Sequence, residues 1–116
     1  MKNVILFFAS LMLSNLAFGV TALHKKHACI ACHADNKKLV GPSYQDVAAR
    51  FAKDWKAKDG TLVKPADAPT YLANKIRKGG AGNWSVIPMP GNVSATDAEL
   101  KAMVDAILSS TSAAKK

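Results

Sequence analysis

The run Cys29-Ile30-Ala31-Cys32-His33 constrains this chain more than any other feature, because C-x-x-C-H is the attachment pattern for a c-type haem. Two thiols about one helical turn apart match the two vinyl groups of the macrocycle, and the next residue brings an imidazole under the iron. Cys29 and Cys32 are therefore the candidate covalent haem thioethers, and His33 is the candidate axial iron ligand. Two other chemistries use paired cysteines. A thioredoxin-like redox pair sits at a helix N-terminus after a strand, yet Leu23 to Ala28 is short, charged and histidine-bearing, and no parallel-strand pattern follows. A structural zinc site takes four ligands, and beyond the two cysteines only His24 and His27 stand close by.

The N-terminus supplies a cellular context. Met1-Lys2-Asn3 is a short basic start, Val4 to Leu13 is apolar, and Ala17-Phe18-Gly19 or Val20-Thr21-Ala22 places small residues where a signal peptidase cuts. Residues 1–22 are expected to be a signal peptide, cleaved near 19–22, with 23–116 as a monohaem domain. The rival is a retained anchor, since Val4 to Leu23 is 20 residues without a charge. In both cases Cys29 lies outside the cytoplasm, which places the domain in the periplasm, membrane-anchored if the leader is not cleaved.

Cleavage after Ala22 takes 22 of the 116 residues and leaves 94, enough for one domain. Three of the four phenylalanines fall in the leader, so the domain keeps Phe51, Tyr44, Tyr71, Trp55 and Trp84 as its large rings. Chains this small bury a modest share of their surface and need a staple, a role that a large apolar haem fills.

No strand pattern of useful length appears, and the fold class expected is all-α. Ser43 caps a helix from about Tyr44 to Asp54, with Tyr44, Val47, Ala48 and Phe51 on one apolar face. Lys53 to Pro69 lacks periodicity and carries Asp59-Gly60, Pro65 and Pro69, so it is expected to be a long surface loop. A helix from about Thr70 to Lys78 ends at Gly79-Gly80. Thr96-Asp97-Ala98-Glu99 is a capping box that opens a helix with Leu100, Met103, Val104, Ile107 and Leu108 as its stripe.

Between the last two helices, Gly79 to Gly91 is too rich in glycine and proline for a helix and carries Met89 between Pro88 and Pro90. What fills the iron's sixth position decides function: His/Met ligation favours electron transfer, whereas an open position admits oxygen, peroxide or nitric oxide. Met103 lies on a core stripe, so Met89, in a stiffened loop, is the candidate second axial ligand. His24 and His27 precede Cys29 closely and are poorly placed to reach the distal face. Catalytic machinery is absent: there is no Ser/His/Asp set, no pair of carboxylates, and Gly79-Gly80-Ala81-Gly82 lacks the strand that a phosphate loop needs.

The order of these pieces, from Cys29-Ile30-Ala31-Cys32-His33 through Val40-Gly41-Pro42-Ser43-Tyr44-Gln45-Asp46-Val47-Ala48 and Trp84 to Ile87-Pro88-Met89-Pro90 and a final helix, resembles the short bacterial class I cytochromes c. The resemblance covers essentially all of 23–116. It implies a small helical shell around one covalent haem c and its iron, with His33 and Met89 on opposite faces. It also implies that the Pro42 carbonyl accepts a hydrogen bond from the His33 ring and that Trp84 donates to a buried propionate. The Lys53 to Pro69 segment is longer than in the shortest members.

The function expected is a periplasmic one-electron shuttle and not an enzyme; the alternative is a haem-based gas sensor or a small peroxidase with a displaceable sixth ligand. The formal net charge is +8, and removing Lys2 with the leader leaves 15 basic against 8 acidic side chains, or +7. Lys25, Lys26, Lys37 and Lys38 bracket the motif, which suits redox protein partners with an acidic docking surface, such as a respiratory complex, terminal oxidase, nitrite reductase or peroxidase. Nucleic acid is not expected as a partner, because the chain carries an export leader and no aromatic-basic platform. Contact with a membrane is expected only if the leader is retained.

Overall fold

A computed structural model describes residues 22–110. The expected leader up to residue 21 lies outside them, and no helix among the described residues is long and apolar enough to cross a membrane. The chain runs α1 (Ala22–Lys26), a 3-10 turn (Cys29–Ala31), α2 (Tyr44–Phe51), β1 (Trp55–Lys56), β2 (Leu62–Val63), a second 3-10 turn (Pro65–Asp67), α3 (Ala68–Lys78) and α4 (Asp97–Ser109).

Helices dominate, as the apolar spacing requires. In α2 the Ser43 hydroxyl accepts from the Asp46 N–H, and Tyr44, Val47, Ala48 and Phe51 are all buried. In α4 the capping box forms in both directions: the Thr96 side chain accepts from the Glu99 N–H, and Glu99 accepts from the Thr96 N–H. Met103 is fully buried with Leu100, Val104 and Ile107, which is the core place its stripe predicts. α3 starts at Ala68, two residues earlier than the spacing indicates, because a proline in the first helical turn gives up no intrahelical hydrogen bond. The three long helices pack around one core, with α4 against both α2 and α3.

Two elements depart from expectation. Lys53 to Pro69 is not simply a surface loop: Trp55 pairs with Val63 and Lys56 with Leu62 in an antiparallel hairpin, turned at Gly60 with φ 92°. Val63 is buried and Trp55 half-buried, the latter edge-on to Phe51 at 5.3 Å, so α2 stops at Phe51 and its next aromatic is spent on the hairpin. The short α1 is also new. It is too brief to persist on its own, and α4 holds it through Glu99, whose carboxylate lies 2.9 Å from Lys26 Nζ and 3.3 Å from His27 Nε2.

That carboxylate is held down to about 2, first by the Lys26 ammonium and then by the Thr96 N–H, against an ordinary value of 4.5. Because the folded state favours the ionised form, its contribution is complete above about pH 4.5 and disappears as the pH falls towards 2. Denaturant midpoints are therefore expected to drop between about pH 5 and pH 2, and Glu99→Gln to flatten that part of the profile. An unchanged slope in the variant contradicts the assignment.

Candidate functional site

Cys29 to Ala31 form a single 3-10 turn, entered through Ala28 in the left-handed region at φ 59°. A non-glycine residue in that region costs on the order of 1 kcal/mol, so the reversal out of α1 that delivers the two thiols is mildly strained. Cys29 and Cys32 are both half-buried and not joined to each other. Burial is the main cause that pushes the Cys29 thiol up. A redox-active cysteine needs the opposite shift.

His33 follows at once. Its Nδ1 lies 2.7 Å from the Pro42 carbonyl oxygen, which fixes Nδ1–H as the donor and leaves the Nε2 lone pair for a metal. The approach is close because of Gly41, where a Cβ would run into the His33 ring. The Gly41 N–H is tied back to the Cys32 carbonyl at 2.8 Å, so the chain after the motif folds over its own imidazole. Gly41→Ala is expected to destabilise the protein by about 1–3 kcal/mol through overpacking, measured by denaturant unfolding; a neutral effect contradicts this packing.

Tyr44, buried at the start of α2, stacks on His33 with centroids 5.5 Å apart and 21° between planes. His24 is tilted against the same tyrosine at 5.0 Å. Burial pushes His24 down, so it stays neutral, and it hydrogen-bonds to the Met103 backbone. His27 is engaged by Glu99 instead. Sequence periodicity does not flag His24 as a core residue, since α1 has one turn and no pattern to read.

Met89 reaches the site by a different device. Its N–H donates to the Gly80 carbonyl at 2.9 Å and its carbonyl accepts from the Gly80 N–H at 3.0 Å, an antiparallel pair that closes the base of the loop. Gly79 makes this possible with φ 69°, where a Cβ would collide with the Met89 carbonyl. Pro88 and Pro90 lack N–H groups, so the one donor of the Pro-Met-Pro run is the one that is paired.

Cys29, Cys32, His33 and Met89 all line one cleft of about 1110 Å³, partly open to solvent, whose walls include Val47, Phe51, Leu72, Ile76 and Ile107. Among the described residues, Lys75 is the one lysine or arginine on its lining. Trp84 lines it too, with the Arg50 guanidinium 3.2 Å above its ring centroid. A large apolar disc fits these walls, with thiols for its edge and an imidazole for its centre. Residues 19–111 match the cytochrome c family model. The chain belongs to the cytochrome c family.

As such it is a small electron-transfer haem protein carrying one covalently attached haem c with its iron. This cytochrome is 44% identical over 100 residues to cytochrome c-552 of Nitrosomonas europaea, covering 86% of each chain. It is 41% identical over 97 residues to cytochrome c-552 of Hydrogenobacter thermophilus, covering 84% of this chain and 87% of that one. The crystal structure of wild-type Nitrosomonas europaea cytochrome c552 superposes with a TM-score of 0.63 at 47% identity, covering 77% of this chain and 96% of that chain. The fold is therefore the class I cytochrome c fold, with helices around haem.

Sequence reasoning missed Arg50, Asn83 and Tyr71, which close around Trp84 and its loop. They lie 12 to 33 residues apart in pairs, and no local pattern announces such contacts.

Proposed function

We propose that this cytochrome is an exported periplasmic one-electron carrier, its haem bound through thioethers from Cys29 and Cys32 and its iron held between His33 Nε2 and the Met89 sulfur. The observation that carries the reading is the His33 geometry: a donor nitrogen fixed on Pro42 and an acceptor nitrogen left for iron, on the lining shared with both thiols and Met89. The haem supplies reversible one-electron chemistry at its iron.

The chain's own work is to hold and to exclude. Tyr44 stacked on His33 and the Pro42 hydrogen bond fix the imidazole plane, and the Gly80 pairing fixes the Met89 backbone. Ligands that barely move between redox states keep reorganisation small, which is what fast transfer needs. The apolar walls keep water from the centre, and a neutral thioether ligand raises the potential. The sensor or peroxidase alternative needs Met89 to leave, and the paired loop base opposes that departure.

Partners are redox proteins with acidic docking surfaces. Lys25, Lys37 and Lys38 are exposed beside the attachment turn and free to steer them, whereas Lys26 is engaged by Glu99. Electron-transfer rates to an acidic redox protein are expected to fall roughly tenfold or more as ionic strength rises from about 0.01 M to 0.15 M. Stopped-flow rates that do not respond to salt would remove electrostatic steering from the account.

A further inference from the structure

The hairpin that follows α2 touches the Met89 loop, and the contact converges on one residue. Asn83 stands near the tip of that loop. Its Oδ1 accepts from the Lys58 backbone N–H at 3.0 Å, its Nδ2 donates to the Tyr71 hydroxyl oxygen at 3.0 Å, and its carbonyl accepts from the Arg50 guanidinium at 2.9 Å. The hairpin, α3 and α2 thus each contribute one bond. The Lys58 side chain also lies along Gly82, where φ is 102° and a Cβ would come within 2.8 Å of Lys58 Cδ. The Gly82 N–H donates to the Ser85 carbonyl at 2.8 Å and tightens the same tip.

The loop is therefore fastened twice, at its base by the Gly80–Met89 pair and at its tip by Asn83. A thioether is a weak ligand for iron, and its hold depends on how readily the loop that carries it moves away. With the tip fastened, a competing ligand must break the Asn83 bonds or distort the loop around them; with the tip loose, it works against the base alone. We infer that Asn83 is a positioning residue for the sixth ligand, hooking the loop tip to the hairpin and α3 so that Met89 stays in place and small molecules are kept from the iron. This rests on the assignment of Met89 as that ligand.

The test is imidazole binding to the ferric holoprotein, followed by its visible spectrum. Asn83→Ala raises imidazole affinity about tenfold, the factor to which 1.4 kcal/mol of lost hydrogen bonding converts. Its spectrum without imidazole stays that of the parent. Asn83→Asp keeps an acceptor for the Lys58 N–H and for a rotated Tyr71 hydroxyl, so its affinity stays near the parent value. Tyr71→Phe removes one bond but keeps the ring packed on Phe51 and Trp55, and it raises affinity by a smaller factor; it also gives the answer if Asn83→Ala does not accumulate as holoprotein. Parent-like affinity in both Asn83→Ala and Tyr71→Phe overturns the proposal, as does a rise in Asn83→Asp equal to that in Asn83→Ala. Met89→Ala separates this from the assignment beneath it. If Met89→Ala binds imidazole no better than the parent, the ligand assignment fails and the anchor with it; if it binds better while the Asn83→Ala and Tyr71→Phe variants do not, the anchor alone fails.

Discussion

Replacing Met89 by alanine is expected to leave the haem attached through Cys29 and Cys32, to abolish the weak long-wavelength methionine-to-ferric-iron band, and to lower the midpoint potential by on the order of 100 mV or more. The size follows from what the thioether does. It is a neutral, soft ligand that stabilises the ferrous state over the ferric one, and neither the other methionine of the described residues nor His27 takes its place. Met103 is fully buried in the core, and His27 is committed to Glu99. The vacated position would take water or a small anion, so the ferric spectrum moves away from a low-spin methionine-ligated form. A potentiometric titration followed at the visible bands checks both effects together, and an unchanged spectrum removes Met89 from the mechanism.

Loss of the haem is expected to cost most of the fold. Val47, Phe51, Leu72, Ile76 and Ile107 belong both to the helical core and to the walls of the 1110 Å³ cleft. Without haem these apolar faces lose the large disc they pack against and border an open cleft, so surface that the holoprotein buries meets water. A domain this small has little other apolar surface with which to offset the conformational entropy of folding. Apoprotein made without haem-attachment machinery should therefore show far-ultraviolet dichroism mostly lost relative to the holoprotein. Native-like dichroism in that apoprotein would sink this expectation.

The helices and the family were legible in the sequence for local reasons. A cap followed by a 3.6-residue stripe is a short-range signal, and α2 and α4 begin where Ser43 and Thr96 place them. The haem motif lies within five residues, and the Met89 loop shows itself by the two prolines beside a methionine. The hairpin was not legible, because strands of two residues have no period to detect and Val63 is one buried side chain among exposed neighbours. Asn83 was hidden for another reason: its three bonds reach α2, the hairpin and α3, and only the folded chain brings those together. His24 is a buried ring against Tyr44 and not a ligand, in a one-turn helix that also meets α4 through the Lys26–Glu99 pair. The role of Gly79 and Gly80 shows the same limit. As a helix stop they are readable, but their pairing with Met89 is a tertiary contact.

The most direct test of the central claim, one covalent haem between His33 and Met89, is the visible spectrum of the wild-type protein expressed in the periplasm, recorded oxidised and then reduced. The account predicts c-type haem bands in the reduced form that survive acid-acetone extraction, together with the methionine-to-ferric-iron band in the oxidised form. Haem bands without the methionine band would contradict the His33/Met89 site and shift the protein towards ligand binding, and the absence of covalent haem would contradict the account at its first residue pair.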